Sequence, residues 1–174
     1  MSETPTNPNF HQTRGGRLVV KRLPSLKFFT QKIQIPGMSI RSADQATPHD
    51  RVPRPGDALY RSTLRVSFKV DEDMENYAGL ASWFIGVSAP DSPSQYEAIA
   101  SKASIGEGVV SDLTVTVADS SWNHAIEYRF QDAFPVSITG PEYDTTEEAV
   151  RVASAEVNFQ FRHFTVHRKV DDWE

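Results

Sequence analysis

Between Arg61 and Val87 the hydrophobic period of the chain changes once, and that change limits the architectures open to it. Leu64, Val66, Phe68 and Val70 alternate with Thr63, Arg65, Ser67 and Lys69, which predicts a strand with one apolar and one wet face. From Met74 onward the apolar residues fall three and four apart, at Met74, Tyr77, Leu80, Ala81, Phe84 and Val87. That spacing lines one side of a helix. Asp71 is placed to cap it, and Glu72, Asp73 and Glu75 set negative charge at its positive end. Neither apolar face can stay in water, so the helix has to lie back across a sheet.

The remaining segments supply that sheet. Arg17 to Arg22 and Lys27 to Ile35 read as short strands interrupted by Leu23-Pro24-Ser25, forming either a first hairpin or two separate edges. Pro36-Gly37 stops the second of them, since proline lacks the ladder donor and glycine permits a turn. Met38 to Leu59, with Pro48, Pro53, Pro55 and Gly56, reads as a long loop or extended arm of the kind that orders against a partner. Ser88 to Gly108, with Pro90, Pro93, Gly106 and Gly108, is a second excursion without a period. Ser111 to Val117 and Ala125 to Asp132 alternate again and predict an antiparallel hairpin turning at Asp119 to Asn123. Phe134 to Thr139 reads as a further short strand. Val152 to Val166 reads as one long strand with Ala153, Ala155, Val157, Phe159 and Phe161 on one face, although the alternation blurs past Phe161. The expected fold is mainly β with one helix, an antiparallel β-sandwich or partial barrel flanked by an α-helix. Residues 17–174 form its single domain, behind a flexible N-terminal arm of residues 1–16.

Composition removes several classes of function. The chain has 174 residues, no cysteine and a net charge of -5, so it carries no disulfide frame and no thiolate metal site, and it lacks the excess of cations that a tight nucleic-acid binder uses. Its apolar runs are too short for a membrane span, and Met1 to Gly16 lacks the apolar core of a secretory signal. Of the five histidines, His163 and His167 are four apart but have no third ligand at a recognisable spacing. No G-x-S-x-G elbow is present, and the Gly15-Gly16 and Gly106–Gly108 pairs lack the lysine of a phosphate loop, so they read as hinges. Asp71 to Glu75 lacks the alternation and central glycine of a calcium loop, which leaves helix capping. Trp83 and Phe84 read as core and neighbour contact. The sequence therefore implies no catalytic residue, no cofactor and no metal. Trp173, in the terminal Asp-Asp-Trp-Glu, reads as an indole docked on another subunit. The polar strand positions Arg65, Lys69, Glu127, Arg129, Glu156, Asn158, Gln160 and Arg162 face solvent, or line a hydrophilic channel if several copies join their sheets in a ring.

The order of these pieces resembles the tail tube protein family of contractile-tailed bacteriophages, which includes baseplate tube and tail completion proteins. The resemblance is carried by Arg22-Leu23-Pro24 leading to Phe28-Phe29, by Ile35-Pro36-Gly37-Met38-Ser39, and by Pro55-Gly56-Asp57. It continues through Phe68-Lys69-Val70-Asp71-Glu72 into Asn76-Tyr77 and Trp83, then Ser111 to Val115, Phe130 to Ser137 and the closing alternating run. It implies a structural protein of the virion tail, assembled in the host cytoplasm and not an enzyme. Its copies would form homo-oligomeric, hexameric rings that close the sheet edges, beside further tube, sheath or baseplate proteins, with DNA passing transiently through the channel and no membrane partner. On that resemblance the eight polar strand residues become channel-lining candidates. Pro36, Gly37, Pro55, Gly56, Asp57, Pro90, Pro93 and Trp173 become assembly contacts. A tail completion or terminator ring and a baseplate tube initiator share the fold and stay open as roles. A monomeric β-sandwich that binds a ligand with its two long loops is the alternative of another class, and a hydrolase has no motif in its favour.

Overall fold

The computed structural model describes residues 15–46, 50–88, 90, 93–102, 108–119, 122–143 and 151–168. Its elements are β1 (Gly16–Val20), α1 (Leu26–Phe29), β2 (Thr30–Gln34), β3 (Met38–Ala46), β4 (Arg51–Arg61), β5 (Leu64–Lys69) and α2 (Glu75–Ser88). They continue with α3 (Pro93–Ala100), β6 (Ser111–Ala118), β7 (His124–Thr139), β8 (Ser154–Gln160) and β9 (His163–Arg168). Every strand pairing is antiparallel. The architecture is the expected one, mostly antiparallel β with one principal helix, α2.

The spine of the sheet is β7, sixteen residues long. Its first part lies between β6 and β9, and its second part pairs with β8. The two parts meet at Asp132, whose φ of 52° bends the strand, because a left-handed residue cannot continue a pleated ladder. The order β1-β6-β7-β8-β5-β2, with β9 beside β7, gives two four-stranded halves that share β7. Among the described residues no ladder joins β1 to β2, so the sheet curls without closing.

Both halves and α2 bury their apolar sides in one core. Leu18, Val20, Leu64, Val66, Phe68, Leu113, Val115, Phe130, Val157 and Phe159 come from the strands, and Leu80 and Trp83 from α2. Full burial of side chains of this size contributes about 1.5–3 kcal/mol each before entropy is charged against it. At the bend of β7 the rings of Phe130, Phe161 and Phe164 form an aromatic cluster, with Phe130 and Phe161 centroids 4.9 Å apart at 67°. Where α2 crosses the segment after β1, a Cβ on Gly79 would stand 2.9 Å from Leu23 Cδ2, so a larger residue there would push the Leu23 side chain aside.

Several expectations need correction. The helix begins at Glu75, preceded by a turn in which Met74 has φ 57°. Asp71 still caps it, its Oδ1 accepting from the Asn76 backbone N–H at 3.3 Å. The fully buried stripe is Asn76, Leu80, Trp83 and Gly86, with Met74, Tyr77 and Val87 packed partly against the core. Of the segment read as a long loop or extended arm, Met38–Ala46 and Arg51–Arg61 pair as the β3–β4 ribbon, a separate two-stranded sheet. The second excursion contains the eight-residue helix α3. Phe134 to Thr139 is the continuation of β7, and the long closing strand is broken at Phe161–Arg162 into β8 and β9. Of the two readings of the first two strands, a hairpin or separate edges, the second holds, with β1 on β6 and β2 on β5.

Candidate functional site

Register decides which polar side chains share a surface. In the half formed by β2, β5, β8 and the end of β7, Arg65 lies opposite Asn158 and Gln34, Ser67 opposite Glu156 and Lys32, and Lys69 opposite Ser154. Ser137 and Thr139 of β7 continue the same rows beyond Asn158 and Glu156. One wet face results, because opposed residues of an antiparallel ladder point the same way. Its side chains are cross-linked. Arg65 Nε donates to Asn158 Oδ1 at 3.2 Å and forms an ion pair with Glu156 Oε1 at 3.1 Å, Asn158 Nδ2 donates to Ser137 Oγ at 2.7 Å, and Ser67 Oγ donates to Glu156 Oε2 at 3.4 Å. Lys69 Nζ donates to the Val152 carbonyl oxygen at 3.1 Å.

Five of the eight candidate channel residues, Arg65, Lys69, Glu156, Asn158 and Gln160, are brought together on this face by the register of β5 and β8. Glu127 and Arg129 stand elsewhere, on the outer face of the other half opposite Thr116 and Thr114 of β6 and His167 and Thr165 of β9, with Arg129 Nε donating to Glu127 Oε1 at 2.6 Å. Arg162 sits at the break between β8 and β9, 3.5 Å from Asp132 Oδ2. Sequence reading put Ser67 on the wet side of its strand without making it a channel candidate, and missed Lys32, Gln34, Ser137 and Thr139 as members of the first face. The signal was present in the alternation of Lys32 and Gln34 with Ile33 and Ile35, and of Ser137 with Val136 and Ile138.

The β3–β4 ribbon carries the second group of candidates. Its residues are exposed except for the half-buried Gly56 and Arg61. Met38, Ile40 and Leu59 share one side through the pairs Met38–Arg61 and Ile40–Leu59, and Met38 and Ile40 are 62% and 60% exposed. On the opposite side the Arg41 guanidinium lies 4.8 Å from the centroid of Tyr60. The base is clamped, Gly37 N–H donating to Ser62 Oγ at 2.7 Å and Ser62 N–H to the Gly37 carbonyl at 3.0 Å. Between the pairs Ile40–Leu59 and Ser42–Pro55 the register slips, leaving Gly56, Asp57 and Ala58 against Arg41 alone. Pro36, beside the clamp, is buried, and Pro90 and Pro93 are exposed around the start of α3. Trp173 lies outside the described residues.

A cleft of about 340 Å³ lies between α3 and the start of β6, lined by Tyr96, Ala100, Val109, Val110, Ser111, Asp112 and Asp132 among others, and the Ser111 hydroxyl oxygen accepts from the Arg22 backbone N–H at 3.3 Å. Among the described residues no three His, Asp or Glu side chains converge on a point that could hold a metal. His167 Nε2 stands 3.1 Å from Thr165 Oγ1 on β9.

The fold is an antiparallel β-sheet whose outer strands have, among the described residues, one unpaired edge each, with a separate two-stranded ribbon beside it. The chain belongs to the phage tail tube protein family, whose model it matches over residues 6–167. Its role is accordingly structural, of the tail tube type. No curated protein sequence matches it. Among solved structures it is similar to a chain of the tube-terminating cap of the anti-feeding prophage, with a TM-score of 0.60 at 12% identity over 95% of this chain and 96% of that one. It is also similar to a chain of the extended sheath–tube complex of PVC, an extracellular contractile injection system, with a TM-score of 0.59 at 11% identity over 92% and 93%. A chain of the anti-feeding prophage baseplate aligns with a TM-score of 0.56 at 8% identity over 88% and 91%. At these identities the likeness is one of fold.

Proposed function

We propose that this protein forms a hexameric ring of a phage tail tube and that its four-stranded half of β2, β5, β8 and the end of β7 lines the channel through which DNA passes. The observation that carries this reading is that the half ends on both sides in open edges. Among the described residues β2 pairs only with β5, and Phe134 to Thr139 pair only with β8. An open edge of a sheet is a template for another strand. Four alternating strands also leave the two end strands running in opposite senses, so a rotation that carries one copy to the next lays β2 antiparallel beside the end of β7. Repeated around a closed ring, this contact removes every edge of the inner wall.

On this reading the β3–β4 ribbon and the segment around α3 make contacts between copies. A two-stranded ribbon is marginal on its own in water, and exposed Met38, Ile40 and Leu59 are the residues it would bury against a neighbour. The test is the mass of the purified protein by light scattering over a concentration series, with negative-stain images of the same fractions. Rings or tubes of regular diameter are expected. A compact monomer at every concentration that also fails to add to tube ends or baseplates would overturn the reading in favour of a monomeric module that uses the cleft beside α3.

A further inference from the structure

We infer that Glu156, acting through Arg65, sets how strongly the wet face of β2, β5, β8 and the end of β7 holds nucleic acid. The inference rests on the reading of that face as the channel wall. Among the described residues Lys32, Arg65 and Lys69 stand on it against one carboxylate, that of Glu156, although the whole chain carries a net charge of -5. A net cationic face on a net anionic protein draws phosphate toward it. In a ring the imbalance repeats with every copy.

Attraction of that kind helps a polyanion enter, but a directional guanidinium–phosphate clamp would arrest one that has to slide. The geometry removes the clamp. The Nε edge of Arg65 is occupied by Glu156 Oε1 at 3.1 Å and Asn158 Oδ1 at 3.2 Å. Glu156 is itself steadied by Ser67, and Asn158 by Ser137, so the row is anchored on three strands. The side chains of Arg65 and Glu156 are 53% and 35% exposed, where an ion pair contributes little to stability. What Glu156 does here is cancel one of three charges and hold one guanidinium edge away from a passing phosphate. It is a positioning residue.

The test is binding of a short fluorescent DNA duplex to the full-length protein across a salt series, with negative-stain images of the same samples. Glu156→Gln should bind the duplex at least about fivefold more tightly at low salt, and its dependence of log K on log salt should steepen by about one for each phosphate newly engaged. Glu156→Asp keeps the charge and should stay weak, and removing Arg65 as well, in Arg65→Gln with Glu156→Gln, should return binding to the starting level. Equal affinity of the wild type and Glu156→Gln overturns the inference, as does a gain that survives loss of Arg65. Preferential retention of polyglutamate over the duplex overturns the assignment to nucleic acid. On intact rings an unchanged affinity defeats this inference alone, whereas samples that never form rings or tubes defeat the channel reading beneath it.

Discussion

The indole of Trp83 on α2 stands with its ring centroid 5.9 Å from that of Phe159 on β8, tilted by 42°. The same indole donates from Nε1 to the Val109 carbonyl oxygen at 3.0 Å, and the Arg22 guanidinium lies 5.4 Å from its centroid. One side chain thus ties the helix to the sheet, to the segment entering β6 and to the segment leaving β1. Trp83→Ala should cost about 3–5 kcal/mol, the range for emptying a buried aromatic site. Trp83→Phe keeps most of the packing but leaves the Val109 carbonyl without its donor, and should cost about 1–3 kcal/mol. Urea unfolding midpoints at unchanged slope would measure both; a Phe variant as stable as the parent would show that the Val109 bond carries nothing.

Asn76 is a buried polar residue of α2, and its amide joins the helix start to the end of β5. Nδ2 donates to the Lys69 carbonyl at 2.8 Å, and Oδ1 accepts from the Asp71 N–H at 3.5 Å. Asn76→Asp preserves shape but turns an oxygen toward the Lys69 carbonyl. Burial would raise the folded-state pKa of the new carboxyl above its unfolded value near 4. The folded state then holds its proton longer than the unfolded state, so stability falls as pH rises through the window above about 4. The deficit of the variant against the parent should be larger at pH 7 than at pH 4. A deficit that does not change with pH would mean that the site opens to water.

Gly56 faces Arg41 across the slipped register of the ribbon, and a Cβ there would collide with the Arg41 carbonyl oxygen. Gly56→Val should therefore disturb the bulge that aims the outer ribbon. The ribbon contributes nothing to the core cluster, so the unfolding midpoint of the isolated subunit should move by less than about 0.5 kcal/mol, as for changes away from the core. Assembly should suffer instead, read as loss of stacked rings in sedimentation and images. A large drop in subunit stability with normal stacking would contradict this division.

The parts that were legible in the sequence are those with one face buried. The switch from β5 to α2 was visible because Leu64, Val66 and Phe68 and then Leu80 must all enter one core, and burial imposes a period. The ribbon was not visible: its residues lie in water, so nothing demanded alternation, and Pro53 and Pro55 argued for a loop. Helix α3 also escaped, since Tyr96 and Glu97 are exposed on it and its eight residues span little more than two turns, too short a run to show a period. The bend at Asp132 had no composition signal, as an aspartate with φ 52° stands where glycine would have announced a turn. The blurred alternation after Phe161 was the trace of the break between β8 and β9. Alternation also says which side of its own strand a residue takes, but not which strands are neighbours. That is why Glu127 and Arg129 could not be separated from Arg65 and Glu156 before the register was known.

Neighbour relations between copies can be read by the same logic, and the chain offers a clean chemical background because it has no cysteine. If β2 of one copy lies antiparallel beside the end of β7 in the next, then Lys32 or Gln34 comes opposite Ser137 or Thr139 on the wet face. Disulfides form when Cβ atoms approach to about 4 Å, a distance that opposed residues of adjacent antiparallel strands reach. Double variants carrying one cysteine at position 32 or 34 and one at 137 or 139 should give, under mild oxidation, a ladder of covalent multimers on denaturing gels that ends at the ring number. Within one subunit these positions are separated by β5 and β8 and cannot join. The corresponding single variants should stop at dimers or remain monomeric. Ladders absent from all four combinations, in samples whose images show intact rings, would place the joint on another pair of edges, β1 or β9, and would move the channel wall to the face that carries Glu127 and Arg129.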